Sequence, residues 1–280
     1  MGLLGSVHVD GVVYREFTPE PLPRALGRKG PGFKDYRVHF PDGTKMLIRA
    51  TPRRIFADLA PAPRLTRYAR VEPLIVPGMR ILELGCSTGY GSVWLADRVG
   101  RSGAVVAIDT DDQAVAFAQK RYPRPNIAFE IRRPDSLTGE TDGSFDAVFA
   151  PRGITGEGGD TADLAELWRL VAPGGWMLVG VSGAGGSSAG DAPPAAIETT
   201  EAILRQICTA DVPPSPPASA ASTGREHQGA GRDPGRGPAF GPAAGPPPPV
   251  HRPRWRAGVI QTLGDPLDGV HDVIVGKPEA

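Results

Sequence analysis

The strongest chemical signal in the chain is the stretch Glu83-Leu84-Gly85-Cys86-Ser87-Thr88-Gly89-Tyr90-Gly91. It leaves a short apolar run, Arg80-Ile81-Leu82-Glu83-Leu84, and enters a helix-like segment over 90–99. Glycines at such a strand-to-helix turn let the backbone approach a ligand closely, and the helix start adds N–H groups with partial positive charge. A carboxylate or a phosphate suits that spot. Asp109 ends the next apolar run, Ala104-Val105-Val106-Ala107-Ile108. An acid at that place can accept both hydroxyls of a ribose. Loop and acid together point to a ligand that contains a nucleoside. The glycine spacing fits neither the dinucleotide fingerprint G-x-G-x-x-G nor the phosphate loop G-x-x-x-x-G-K-[ST], which argues against a dehydrogenase and a nucleotide triphosphatase.

Other reactive side chains carry less. His39 lies in a hairpin and His271 opens the last strand, so either could act as a base, but a surface or half-buried histidine is the simpler reading. Cys86 beside helix N–H groups reads as small-residue packing rather than as a nucleophile. No Cys/His cluster has the spacing of metal ligands, so no metal is expected. Catalytic residues are not identifiable from the sequence.

The elements that must hold the loop follow from the pattern around it. Strand-like runs at 80–84, 104–108, 127–131, 145–150 and 176–181 alternate with helical segments at 90–99, 111–122 and 160–171. Apolar strands alternating with helices imply a parallel sheet covered on both faces. Pro173-Gly174-Gly175 reads as a break before the fifth strand. Upstream, Tyr36–Phe40 and Lys45–Arg49 flank Asp42-Gly43 and form a predicted hairpin, and 64–72 reads as a helix that stops at Pro73. Downstream, 195–208 reads as a helix, and Trp255–Leu263 with His271–Val275 as a hairpin that rejoins the sheet.

The chain has 280 residues with 31 basic and 31 acidic side chains, so its formal net charge is zero. That excludes a strongly basic nucleic-acid binder on bulk charge alone. The charge is uneven: 1–80 holds about 14 Lys/Arg against 7 Asp/Glu, and 81–200 about 9 against 16. With two cysteines at this length, no disulfide framework is expected. No apolar run of about 18 residues exists, so no transmembrane helix is expected, and the cytoplasm is the default location. Much of the Gly and Pro excess falls in 211–253, where large apolar residues are scarce, so this segment is expected to be a disordered insertion.

From 75 to 182, with the closing hairpin at 255–275, the chain resembles the class I S-adenosylmethionine-dependent methyltransferases. The stretch from Glu83 to Gly91 resembles their first motif. Asp109 follows the second strand, Asp135-Ser136 the third, and Leu170-Val171-Ala172-Pro173-Gly174-Gly175 precedes the fifth, all in the family's order. The resemblance implies S-adenosyl-L-methionine as cofactor. Glu83, Gly85, Cys86, Ser87 and Gly89 would border its methionine half. Asp109, with Thr110 beside it, would hold the ribose. Asp135 would accept from the adenine amino group with the Ser136 backbone nearby, and Ala150 would border the sulfonium. The implied fold is α/β: a doubly wound, mostly parallel seven-stranded sheet of Rossmann-like methyltransferase type, with an antiparallel last strand and an N-terminal β-hairpin extension.

Two departures bear on the site. Ser87 stands where the family often has glycine, which the turn tolerates if Ser87 keeps a negative φ. The segment after the fourth strand, Ala150-Pro151-Arg152-Gly153-Ile154, lacks the Pro-Pro-aromatic signature of enzymes that methylate base or glutamine nitrogens. The expected division is 1–75 as an accessory region, 76–210 as the cofactor-binding core, 211–253 as the insertion and 254–280 as the hairpin completing the sheet. The expected activity is methyl transfer to a small-molecule acceptor, with the N-terminal hairpin and the helix near 195–208 as a lid. The alternatives are RNA or protein as acceptor, met by the basic N-terminal region, or a non-catalytic module that only binds the cofactor.

Overall fold

The structure is a computed structural model that describes residues 6–16, 33–56, 62–151, 161–181, 194–209, 260–265 and 270–279. The expected insertion at 211–253 lies outside the described residues, as does the segment that follows Pro151.

Four strands come first: β1 (Ser6–Val9), β2 (Val12–Glu16), β3 (Lys34–His39) and β4 (Lys45–Ala50). They form one antiparallel sheet in sequence order. The predicted hairpin is its second half, and β1–β2 is a further hairpin closed by Asp10-Gly11. Short helices α1 (Pro52–Ile55) and α2 (Ala62–Val71) lead into the core.

The core runs β5 (Arg80–Leu84), α3 (Tyr90–Val99), β6 (Ala104–Asp109), α4 (Asp112–Arg121), β7 (Ile127–Ile131), β8 (Phe145–Ala150), α5 (Thr161–Leu170), β9 (Val171–Val181), α6 (Pro194–Thr209), β10 (Ile260–Asp265) and β11 (Val270–Gly276). The seven strands lie in the order β10-β11-β9-β8-β5-β6-β7. β9, β8, β5, β6 and β7 pair in parallel, and β11 enters antiparallel between β9 and β10. The order reverses at β5, so the loop after β5 opens beside the crevice between β5 and β8.

The parallel strands are apolar on both faces because both are covered. Leu82, Val106, Val148, Met177 and Val179 pack against Leu164, Leu167 and Trp168 of α5 and Leu204 and Ile207 of α6. Ile81, Val105, Ala107, Phe149 and Leu178 pack against α3, α4 and the end of α2. Burial at this density supplies the main driving force for the fold. α6 is therefore a layer of the core, not a lid: Leu204 and Ile207 are buried against the sheet.

β9 differs from expectation. Pro173-Gly174-Gly175 does not break the chain before the strand but lies inside it. Phe145 pairs with Val171, and then the register shifts so that Ala147 pairs with Trp176. The displaced residues are held by the chain end: Gly174 N–H donates to the Lys277 and Pro278 carbonyls, and Lys277 N–H donates to the Gly175 carbonyl. A distant partner thus satisfies backbone groups that a local reading leaves free.

The N-terminal sheet docks on the outside of α4. Val12, Tyr14, Tyr36, Val38, Phe40 and Ile48 close over Phe117, with Tyr14 and Phe40 ring centroids 6.3 and 6.2 Å from it. Asp10 pairs with Arg121 at 2.7 Å and Asp42 with Lys120 at 2.5 Å at the far end of the helix. Bonds from Lys120 and Thr44 hold the Asp42 carboxyl well below the usual carboxylate range. Burial, with Glu16 nearby, pushes the Tyr36 phenol up to about 12. Among the described residues, no helix is long and apolar enough to cross a membrane.

Candidate functional site

The loop between β5 and α3 is built from left-handed residues at alternate positions: Gly85, Ser87 and Gly89 have φ of 76°, 52° and 85°. Gly85 and Cys86 both donate their N–H to the Ile108 carbonyl, at 2.8 and 3.1 Å, which ties the loop to β6. Gly89 N–H closes back on the Cys86 carbonyl. The Cys86 side chain is buried in the core.

Ser87 overturns the condition set on it. Its φ is positive, a conformation that costs an L-residue roughly 1–2 kcal/mol. What holds it there is Asp109: Ser87 N–H donates to Oδ2 at 2.8 Å, and Asp111 N–H donates to Oδ1 at 3.0 Å. The Ser87 hydroxyl is buried and has no hydrogen-bond partner. Ser87→Gly should therefore raise stability by about 1 kcal/mol, since glycine removes the strain and the unpaired hydroxyl at little loss. A urea midpoint that falls on this substitution would contradict the reading.

Gly89 and Gly91 serve packing within the fold. An ideal Cβ at Gly89 would sit 2.7 Å from Ala118 Cβ and 2.9 Å from the Phe129 ring. One at Gly91 would sit 2.1 Å from the Tyr68 hydroxyl. Tyr68, on α2, was not singled out by its sequence. Its hydroxyl donates to Glu83 Oε1 at 2.6 Å, and its ring lies 4.7 Å from that of Phe149. Ser92 Oγ donates to Glu83 Oε2 at 2.5 Å. Glu83 is wholly buried and bonded at both oxygens, as a buried acid requires. The signal for such a pairing was an acid inside the run Ile81-Leu82-Glu83-Leu84; nothing local named the partner.

The remaining expected residues lie at the same edge. Ala150 is buried at the carboxyl end of β8. Thr110 is exposed just beyond β6. Asp135 and Ser136 sit in a two-turn 3₁₀ helix, Pro134–Gly139, beyond β7. Asp135 is exposed, with Arg133 Nε at 3.4 Å. Ser136 N–H and Oγ both donate to the Arg133 carbonyl, so that N–H is already engaged. The structure joins the β5 loop to Asp109 by a direct bond, whereas Asp135 and Ala150 flank that pair from neighbouring strands. His39 is elsewhere, on the N-terminal sheet, and His227 and His251 lie outside the described residues. Among the described residues, no group of acids, histidines and cysteines could hold a metal ion.

Asp109 fits a ribose. A carboxylate offers about four acceptor positions, and two are taken by Ser87 and Asp111, which leaves room for two hydroxyls. The asparagine form could not do this, because half of its amide only donates.

The sequence of residues 81–175 matches the family described as a methyltransferase domain. The chain is 34% identical over 104 residues to the ribosomal protein L11 methyltransferase of Thermosipho melanesiensis, covering 37% of this chain and 39% of that protein. It is 37% identical over 118 residues to the demethylmenaquinone methyltransferase of Beutenbergia cavernae, covering 41% and 46%. In both cases the match spans less than half of the relative's length. A solved S-adenosylmethionine-dependent methyltransferase from Aquifex aeolicus superposes with a TM-score of 0.44 at 19% identity, over 56% of this chain and 88% of that one.

Proposed function

We propose that this chain, whose residues 81–175 match a methyltransferase domain, is a class I S-adenosylmethionine-dependent methyltransferase that transfers a methyl group to a small-molecule acceptor seated beyond Ala150. The observation that carries the reading is the Ser87–Asp109 bond, which locks the β5 loop against the one carboxylate at the end of β6 with acceptor capacity to spare. In this proposal Gly85, Cys86, Ser87 and Gly89 form the wall for the methionine half, and Glu83 stiffens that wall from behind. Asp109 and Thr110 take the ribose, Asp135 the adenine amino group, and Ala150 leaves space at the sulfur.

When bound, the cofactor supplies a methyl group on a positively charged sulfur, already a good donor. The work left to the protein is alignment of a nucleophile in line with that methyl group and exclusion of water. Tyr68 and Phe149 contribute an aromatic cover over the ends of β5 and β8. A hydroxyl acceptor would need a base as well. Residues 76–210 with 254–280 are proposed as the cofactor-binding unit, 1–75 as an accessory region and 211–253 as an insertion. The basic N-terminal region supports a second reading, with RNA or protein as the acceptor.

Asp109→Ala tests the site. Removing two backbone bonds and the ribose bonds should weaken S-adenosylmethionine binding about 10- to 150-fold by calorimetric titration, the scale of hydrogen bonds to a charged group. Unchanged affinity would mean that Asp109 is misassigned. The acceptor is tested with radiolabelled methyl transfer across a small-molecule panel; label in RNA or protein instead would replace that class.

A further inference from the structure

The four-stranded N-terminal sheet has one face on α4 and one in solvent. Its acids leave that open face or are neutralised on it. Asp10 and Asp42 pair with Arg121 and Lys120 of α4, and Glu16 pairs with Lys34. Asp35 shares the open face with Arg37 and His39 and is paired there with Arg49. The remaining charge on that face is cationic. Register places Arg15 directly opposite Arg37, with Ser6 and Leu47 completing the row across β1 to β4. The adjoining row is His8, Val13, His39 and Lys45. Ser6, His8, Arg15, Arg37 and Lys45 are exposed, and Leu47 keeps 41% of its surface. Arg15 and Lys45 have no ion pair among the described residues.

Like charges directly opposite each other in a sheet destabilise it. Neighbouring strands are only about 4.8 Å apart, so the side chains of Arg15 and Arg37 leave the sheet side by side. Desolvation, and then the combined field of Arg15, Lys45 and Arg37, push the His39 imidazole below its usual value, so that field is felt at the surface. A polyanion would offset the repulsion. The non-ionic groups narrow its kind. Guanidinium planes and imidazole rings stack on unpaired bases, and a flat sheet face carrying both is suited to single-stranded RNA. A lipid surface would call for large apolar side chains to insert, and among the described residues of this face Leu47 is the only exposed one.

We propose that the open face of the N-terminal sheet, centred on Arg15, Arg37 and Lys45, is a docking surface for single-stranded RNA. It lies on the side of this sheet away from α4, so a docked strand leaves the loop from Gly85 to Gly89 open. The inference does not rest on methyl transfer, and its assay needs no cofactor.

The test is fluorescence anisotropy of a labelled uridine 20-mer titrated with the full chain. Three phosphate contacts predict a slope of about −2 in log affinity against log salt, or roughly 20-fold weaker binding between 50 and 200 mM salt. The charge reversal R15E/R37E/K45E should weaken binding by at least about tenfold at 50 mM salt. R15A/R37A relieves like-charge repulsion, keeps the chain folded, and should weaken binding in the same direction. No binding of the unaltered chain at 50 mM salt, or equal binding by both variants, would overturn the proposal. So would binding to phosphatidylserine vesicles that the RNA fails to displace.

Discussion

Replacing Gly89 with alanine is expected to destabilise the protein by about 2–5 kcal/mol, the sum of a left-handed backbone at an L-residue and an overpacked contact. Both terms are visible in the structure: φ is 85°, and the added methyl would press on Ala118 and Phe129 at 2.7 and 2.9 Å. Neither neighbour yields easily, because Ala118 belongs to α4 and the Phe129 ring is buried under it. The two terms separate by comparison with Gly43→Ala. Gly43 has φ of 81°, close to that of Gly89, and nothing within 4 Å of its missing Cβ, so it reports backbone strain without a packing clash. Urea midpoints should fall for both variants, and by at least about 1 kcal/mol more for Gly89→Ala, with the denaturant slope unchanged. Equal losses would mean that α3 can slide away from α4 and that the glycine is not a packing requirement. Cofactor affinity should fall with Gly89→Ala and hold with Gly43→Ala, since only the first lies in the loop.

Much of this arrangement is legible in the sequence because it is local. The runs at β5, β6, β7 and β8 are short, apolar and bounded by turns, so their type and limits follow from composition. The loop from Gly85 to Gly89 and the acid at 109 are legible for the same reason: each sits where a strand must end. The turn Asp10-Gly11 between Val9 and Val12 carried an equally plain hairpin signal, with both residues at positive φ in the structure. What local patterns could not supply were partners distant in sequence. Pro173-Gly174-Gly175 reads as a break until Lys277 and Pro278 arrive to hold it. Tyr68 looks like any aromatic residue of a helix, yet it reaches Glu83 on the next strand. Asp272 is wholly buried on β11 with Arg70 at 2.6 Å and Arg67 at 3.4 Å, residues some two hundred positions earlier. α2 is thus fastened to two buried acids, one on β5 and one on β11, and removing either partner of such a contact leaves a buried polar group exposed to its full desolvation cost.

The N-terminal sheet poses the sharper question, because an accessory hairpin that covers a pocket should be separable, whereas this one is expected not to be. Phe117 is the reason. It stands on the side of α4 turned away from the main sheet, is 1% exposed, and is enclosed by Tyr14, Phe40 and their neighbours. Phe117→Ala should cost about 3–5 kcal/mol, as for other buried aromatic deletions. Truncation before residue 61 would expose the same ring and strip Arg121 and Lys120 of Asp10 and Asp42. The loss should reach the cofactor loop, since the start of α4 is held by Asp111, whose side chain accepts from Ala114 N–H, and the Asp111 N–H in turn caps Asp109. Hydrogen exchange should then find the amides of β2, β3 and β4 opening first, at a free energy below that of the main sheet. A Phe117→Ala variant that loses less than about 1 kcal/mol, or that keeps these amides as slow as before, would make the sheet an independent unit merely resting on the core.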